Sequence, residues 1–154
     1  PYDWLHLPVP EIKAGNLYQA SRAATYVALA ERPAIRRGGT LVVEASCPEG
    51  IGDGAGEQAC AEALGRGREA LLDELRSDDE IETRGGQQRA YVIALALDRC
   101  DIALVGAPEI AELEAVGIRQ FETVDEAKET LGLEGRGETI ADVFHAVPVL
   151  APGE

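Results

Sequence analysis

The chain of 154 residues has few of the residues that crosslink a protein through disulfide bonds or metal ions. Its three cysteines, Cys47, Cys60 and Cys100, lack the paired spacing of a disulfide framework or of a zinc site. We therefore expect free thiols in a reducing, cytoplasmic compartment. No signal peptide is present and no apolar run reaches about 18 residues, which argues against export and against a membrane span.

Methionine is absent and the chain begins at Pro1. We therefore expect an excised domain of a longer protein. Positive charge is also scarce, with 14 Lys and Arg residues against 28 Asp and Glu residues and a formal net charge of −14. Because the acidic residues are spread along the chain, this balance argues against nucleic acid and anionic membranes as partners. The length predicts a single domain, residues 1–154, with a core of its own.

The elements that are present alternate between helix and strand. Apolar spacing predicts a helix from Asn16, bounded by Pro33, and an Ala-rich helical region over Gln58 to Arg76 with a break at Gly65 to Gly67. Further helices are predicted over Gln87 to Asp98, between Pro108 and Gly117, and after the cap Thr123. Strands are predicted in PYDWLHLPVP, over Thr40 to Ser46, from Cys100, over Ile118 to Glu122 and in the terminal VFHAVPVLAP.

This alternation predicts an α/β, Rossmann-like domain with a mainly parallel sheet and helices on both faces. The first 14 residues are interpreted as a leading strand or an interdomain segment. Tyr2 and Trp4 are expected to pack against a domain outside this chain.

A glycine-rich loop follows the strand at Thr40, in GGTLVVEASCPEGIGDGAG (38–56). Gly50 and Gly52 allow sharp turns and a close approach of the backbone to a ligand, and a helix is expected to start near Ala55. Backbone N–H groups at such a helix N-terminus suit a carboxylate or phosphate. The alternative interpretation is a tight connection between strand and helix.

Four strings in order resemble the C-terminal domain of nickel-pincer lactate racemases: NLYQASR (16–22), RRGGTLVVEASCPEGIG (36–52), GGQQRA (85–90) and DIALVGAPE (101–109). The resemblance implies a two-domain enzyme that interconverts stereoisomers of a small 2-hydroxy acid in the cleft between domains. It implies that the N-terminal domain of the same polypeptide carries the tethered nickel-pincer nucleotide and the histidine pair that moves the proton. This chain would then hold no catalytic residue and no metal ligand, and alone would bind no cofactor and be inactive.

The resemblance also selects candidate binding residues. Gln19 matches the glutamine of the family's YQ motif, and Arg22 stands where the family commonly has lysine. Both lie on one helical face, and a guanidinium can clamp a carboxylate through two hydrogen bonds, so the substrate is expected to differ from lactate. At the second motif, Gln87, Gln88 and Arg89 stand where His-Lys is frequent, so the positive charge is kept and the histidine is lost. Together with the glycine loop, the candidate set is Gln19, Arg22, Gln87, Gln88, Arg89, Gly50 and Gly52.

Plainer interpretations stand beside these. Arg22 and Arg89 also suit the polar faces of amphipathic helices. Cys47, before Pro48, suits a nucleophile, a nickel ligand or a small buried thiol. Two other functions fit the chain as a whole: a stand-alone Rossmann-like module that binds an anionic ligand at the glycine loop without catalysis, and an oligomerisation or interaction domain.

Overall fold

The structure is a computed structural model that describes residues 1–153. Five strands form its sheet: Tyr2–Pro8 (β1), Ile35–Glu44 (β2), Asp101–Val105 (β3), Arg119–Phe121 (β4) and Gly137–Thr139 (β5). Seven α-helices connect them: Leu17–Ala20 (α1), Arg22–Ala28 (α2), Ala55–Leu64 (α3), Arg68–Arg76 (α4), Gln88–Arg99 (α5), Glu112–Val116 (α6) and Val124–Leu131 (α7). Among these residues no helix is long and apolar enough to cross a bilayer.

The sheet has the order β4-β3-β2-β1-β5, and all neighbouring strands are parallel. Leu5, Leu41 and Leu104 point to one face, where they share a core with apolar side chains of α1 to α6. Val42 and Ala103 point to the other face and pack with Ala127 of α7. The predicted α/β Rossmann-like fold with helices on both faces is confirmed.

Strand β1 lies inside the sheet, between β2 and β5. Residues 2–8, expected to be a leading strand or an interdomain segment, are therefore part of the fold. Tyr2 and Trp4, which are expected to pack against another domain, both have partners within this chain. The Lys128 ammonium lies 4.5 Å from the centre of the Trp4 ring, and the Arg136 guanidinium lies 4.4 Å from that of Tyr2.

The terminal strand predicted in VFHAVPVLAP is wrong. That segment forms turns, with one isolated antiparallel bridge between Val149 and Pro33. Pro148 lacks the N–H group that a strand interior needs, which disfavours regular pairing there. The edge strand is instead the short β5, where the Trp4 ring occupies the space that a side chain at Gly137 would need.

Local signals set most other boundaries. The Asn16 side chain accepts a hydrogen bond from the Gln19 N–H at 2.9 Å and starts α1. The Thr123 hydroxyl accepts one from the Glu126 N–H at 3.1 Å and starts α7. The helix predicted after Asn16 is divided at Ser21 into α1 and α2, and β2 begins at Ile35, five residues before the predicted Thr40.

Candidate functional site

Three of the strings that carry the candidate residues meet at the carboxyl edge of the sheet. Helix α1 follows β1, the glycine loop follows β2, and α5 runs back toward the start of β3, so its N-terminus lies at the same edge. The Leu17 N–H donates to the Gly50 carbonyl at 2.8 Å, and this hydrogen bond joins α1 to the glycine loop. Gly86, which precedes α5, packs directly on the backbone of Gly56 in α3, so the start of α5 contacts the helix that follows the glycine loop.

Two amides of the glycine loop, those of Gly50 and Gly52, bond within the loop. The Gly50 N–H donates to the Cys47 carbonyl at 2.8 Å, and the Gly52 N–H donates to the Glu49 carbonyl at 3.0 Å. The Glu57 carboxylate lies against Gly54, at the N-terminus of α3. These glycines provide positive φ angles, +61° at Gly50 and +119° at Gly52, and their N–H groups do not point toward a ligand. This arrangement is that of a tight connection.

Arg22 and Arg89 come together across α2 and α5. The Arg89 Nη1 donates to the Thr25 hydroxyl oxygen at 3.2 Å, and the Thr25 hydroxyl donates to the Arg22 carbonyl at 3.3 Å. Thr25 is buried, and both arginines are half-buried. Thr25 thus links the Arg89 guanidinium to the backbone of Arg22, which lies 67 residues earlier in the sequence.

This arginine pair has no counter-ion within residues 1–153. Neither guanidinium forms a salt bridge, and the Arg22 Nε is buried without a hydrogen-bond partner there. Burial lowers the pKa of Arg89, and the neighbouring positive charge of Arg22 lowers it further. Two desolvated like charges are costly without an anion, so the pair is complementary to a carboxylate.

The three glutamines differ in position. Gln19 is half-buried on α1, one turn before Arg22. The Gln87 side-chain oxygen accepts from the Arg84 N–H at 3.0 Å, so it stabilises the turn before α5. Gln88 is exposed. Of the predicted residues, Arg22 and Arg89 therefore form the centre of the candidate site, with Gln19 on the same side of the molecule.

An apolar groove that the sequence analysis missed lies beside Arg89. Its walls come from α2, α5 and the segment after Val143, which are far apart in sequence. The lining residues are Thr25, Tyr26, Leu29, Ala30, Arg89, Val92, Val147 and Val149. The ring of Phe144 meets Tyr26 edge to face, with 5.9 Å between ring centres. Apolar residues in VFHAVPVLAP were the available signal, but they were interpreted as a strand.

A second polar cluster also escaped the sequence analysis. On β1, the His6 Nε2 lies 2.7 Å from the Glu44 carboxylate and its Nδ1 lies 3.2 Å from the Thr139 hydroxyl. The imidazole thus connects β1 to both neighbouring strands at the carboxyl edge. The other histidine, His145, is exposed beside Asp142.

The three thiols are buried. Burial raises the pKa of Cys47 to about 11, and it raises the pKa of Cys60 and of Cys100 to about 12. A thiol with such a pKa is a poor nucleophile near neutral pH. Within residues 1–153 no three His, Cys, Asp or Glu side chains converge as a metal site would require. Cys47 therefore fits the small buried thiol of the plainer interpretation.

These pKa values predict a loss of stability in alkaline solution. Above the ordinary thiol value of 9.0, the thiols ionise in the unfolded chain but stay protonated in the folded one. The free energy of unfolding should then fall as pH rises from 9 toward 11, by up to about 1.4 kcal/mol per pH unit for each thiol. Urea unfolding across this range, compared with a variant in which all three cysteines are alanine, measures the thiol contribution. Equal slopes in the two proteins would contradict it.

Comparison with known proteins supports the fold. No family model and no curated protein matches the chain. Among solved structures, the chain is similar to the lactate racemase apoprotein from Thermoanaerobacterium thermosaccharolyticum, with a TM-score of 0.72 and 17% sequence identity. The match covers 98% of this chain and 36% of that chain, so this chain spans about a third of that protein's length. At this identity the likeness shows a shared α/β fold.

Proposed function

We propose that this chain is the C-terminal domain of a lactate racemase-like enzyme that interconverts stereoisomers of a 2-hydroxy acid. The observation that carries the proposal is the Arg22 and Arg89 pair, which lacks a carboxylate partner within residues 1–153. Both positions lie in motifs that carry the sequence resemblance. The fold shared with a lactate racemase apoprotein supports the same proposal.

In this proposal the chain binds and orients the substrate. The two guanidiniums hold the carboxylate, and the hydrogen bond to Thr25 keeps the Arg89 guanidinium in position. Gln19, half-buried one turn before Arg22, is placed to hydrogen-bond a second substrate oxygen. When the carboxylate is held in one position, the orientation of the other substituents on carbon 2 toward the other domain is also set.

The residues of this chain do not fit a nickel site. The three thiols are buried with raised pKa values, and no cluster of three metal-binding side chains lies within residues 1–153. Of the two lysines, Lys13 is exposed in the turn after β1, and Lys128 lies on the Trp4 ring. The proposal therefore assigns the nickel-pincer nucleotide, which supplies hydride transfer when bound, to an N-terminal domain.

Racemisation by the native protein tests this function. The native polypeptide is first weighed by intact mass spectrometry, and a mass two to three times the 16.3 kDa of this chain is expected. The native protein, purified with its cofactor, is then given single enantiomers of 2-hydroxy acids, and chiral chromatography should show conversion to the mirror image. The isolated chain should show none. A native mass near 16.3 kDa, or no inversion of any 2-hydroxy acid, would refute the proposal.

A stand-alone module that binds a carboxylate is the second candidate. The same arginine pair favours it, whereas the glycine loop does not, because the Gly50 and Gly52 amides bond within the loop. A native mass near 16.3 kDa together with carboxylate binding would select this candidate.

A further inference from the structure

Exposed apolar side chains are concentrated in the groove beside Arg89. Within residues 1–153, seven large apolar side chains are exposed, and four of them line this groove: Tyr26, Leu29, Val147 and Val149. The groove's accessible lining is almost entirely apolar, and Ala30 and Val92 complete it. More than half of the exposed large apolar side chains among residues 1–153 therefore share one surface.

The groove has few polar groups, and one of them is a positive charge. Arg89 and Thr25 are the only polar residues besides the Tyr26 hydroxyl among its lining residues. Arg89 belongs to the arginine pair, which has no carboxylate partner among the described residues. The groove therefore combines a positive charge, which suits a carboxylate, with apolar walls. A ligand that satisfies both carries a carboxylate next to an apolar substituent.

We infer that this groove binds the apolar substituent of a carboxylic acid whose carboxylate is held by Arg89 and Arg22. If the acid is the racemase substrate, which rests on the proposed function, then the substrate is a 2-hydroxy acid with a bulky apolar side chain. Charge complementarity selects this occupant over an apolar protein segment, because a purely apolar segment would bury the Arg89 guanidinium, which lines the groove, without a partner. Tyr26 provides an aromatic wall for the substituent.

Three probes separate the two halves of the site. Lactate has the carboxylate with a methyl group, 3-phenyllactate adds the apolar ring, and 3-phenylpropane-1,2-diol has the ring without the carboxylate. Titrations of the 154-residue chain, which has its own core, are followed through the amide NMR signals of α2, α5 and residues 144–150. We expect 3-phenyllactate to bind about tenfold more tightly than lactate, because partial burial of a phenyl ring contributes about that factor. It should also bind about tenfold more tightly than the diol, which has the ring but lacks the carboxylate for a charge-assisted hydrogen bond.

Variants locate the binding. Leu29→Ser should weaken 3-phenyllactate about threefold, through lost apolar contact, and leave lactate unchanged. Leu95→Ser is its matched control, because Leu95 on α5 is also 41% exposed but does not line the groove. Arg89→Gln should weaken both acids at least fivefold, through loss of a charge-assisted hydrogen bond. Circular dichroism and thermal melting confirm that each variant is folded.

The groove and the racemase function fail separately. Three results would each overturn the inference that the groove binds the apolar substituent. They are equal affinity for lactate and 3-phenyllactate, equal effects of Leu29→Ser and Leu95→Ser, and no shifts at these amide signals at tens of millimolar ligand. Selective binding of 3-phenyllactate supports the groove even if the native protein inverts no 2-hydroxy acid. Inversion of lactate without preference for 3-phenyllactate would uphold the racemase and overturn the groove.

Discussion

Replacing Arg22 with alanine is expected, under the proposed racemase function, to lower kcat/KM of the native protein for its 2-hydroxy acid by more than tenfold. The loss follows from one charge-assisted hydrogen bond to the substrate carboxylate, worth about 1.5–3 kcal/mol. Arg22→Lys keeps the charge but loses the two-pronged geometry, so it should fall between the wild type and Arg22→Ala. Steady-state kinetics with chiral detection measures all three.

Arg99 offers a matched control for this prediction. Its Nε is also buried without a partner among residues 1–153, but it lies at the opposite end of α5. Arg99→Ala should therefore leave kcat/KM within about twofold, once melting shows that the fold is kept. An unchanged kcat/KM in Arg22→Ala, or an equal loss in Arg99→Ala, would remove Arg22 from the site.

Replacing Gly86 with alanine should cost about 3–5 kcal/mol of unfolding free energy, one of the largest single effects available in this chain. Gly86 has a φ of +91°, where a side chain is strained, and a methyl group there would overlap the backbone of Gly56. The overlap would force the N-termini of α3 and α5 apart and displace Arg89. Urea unfolding measures the stability, and the amide NMR signals of α2 and α5 report the displacement.

The neighbouring glycine is the control. A methyl group at Gly85 meets no atom within 4 Å, so Gly85→Ala should change the unfolding free energy by no more than about 0.5 kcal/mol. Similar losses in both variants would mean that the turn as a whole, and not the contact with Gly56, controls stability.

The sequence was most informative where a local physical rule acts. Asn16, Thr123 and Gly117 start or end helices through their own side-chain or backbone conformations, so their elements could be predicted. Strand β5 could not be predicted, because Gly137–Thr139 is short and polar and is ordered by pairing with β1. The terminal apolar residues were misassigned because hydrophobicity indicates burial against something without indicating regular strand pairing.

The candidate site divides in the same way. A motif resemblance marked Arg22 and Arg89 separately, but their proximity depends on how α2 and α5 pack. Glycine spacing predicted an anion site at the loop but could not reveal that the Gly50 and Gly52 amides bond to carbonyls within the loop. The groove combines residues from three distant segments, and no single segment carries its pattern.

The pairing of β1 with β5 has a consequence for how the chain is made. Trp4 pairs with Gly137 and His6 with Thr139, so the contacts that complete this side of the sheet join residues more than 130 positions apart. During synthesis, β1 is made before the other strands of this domain and keeps an open edge until nearly the whole domain has been translated. Such a high contact order slows folding, and a nascent chain stalled before residue 137 would expose that edge to other strands.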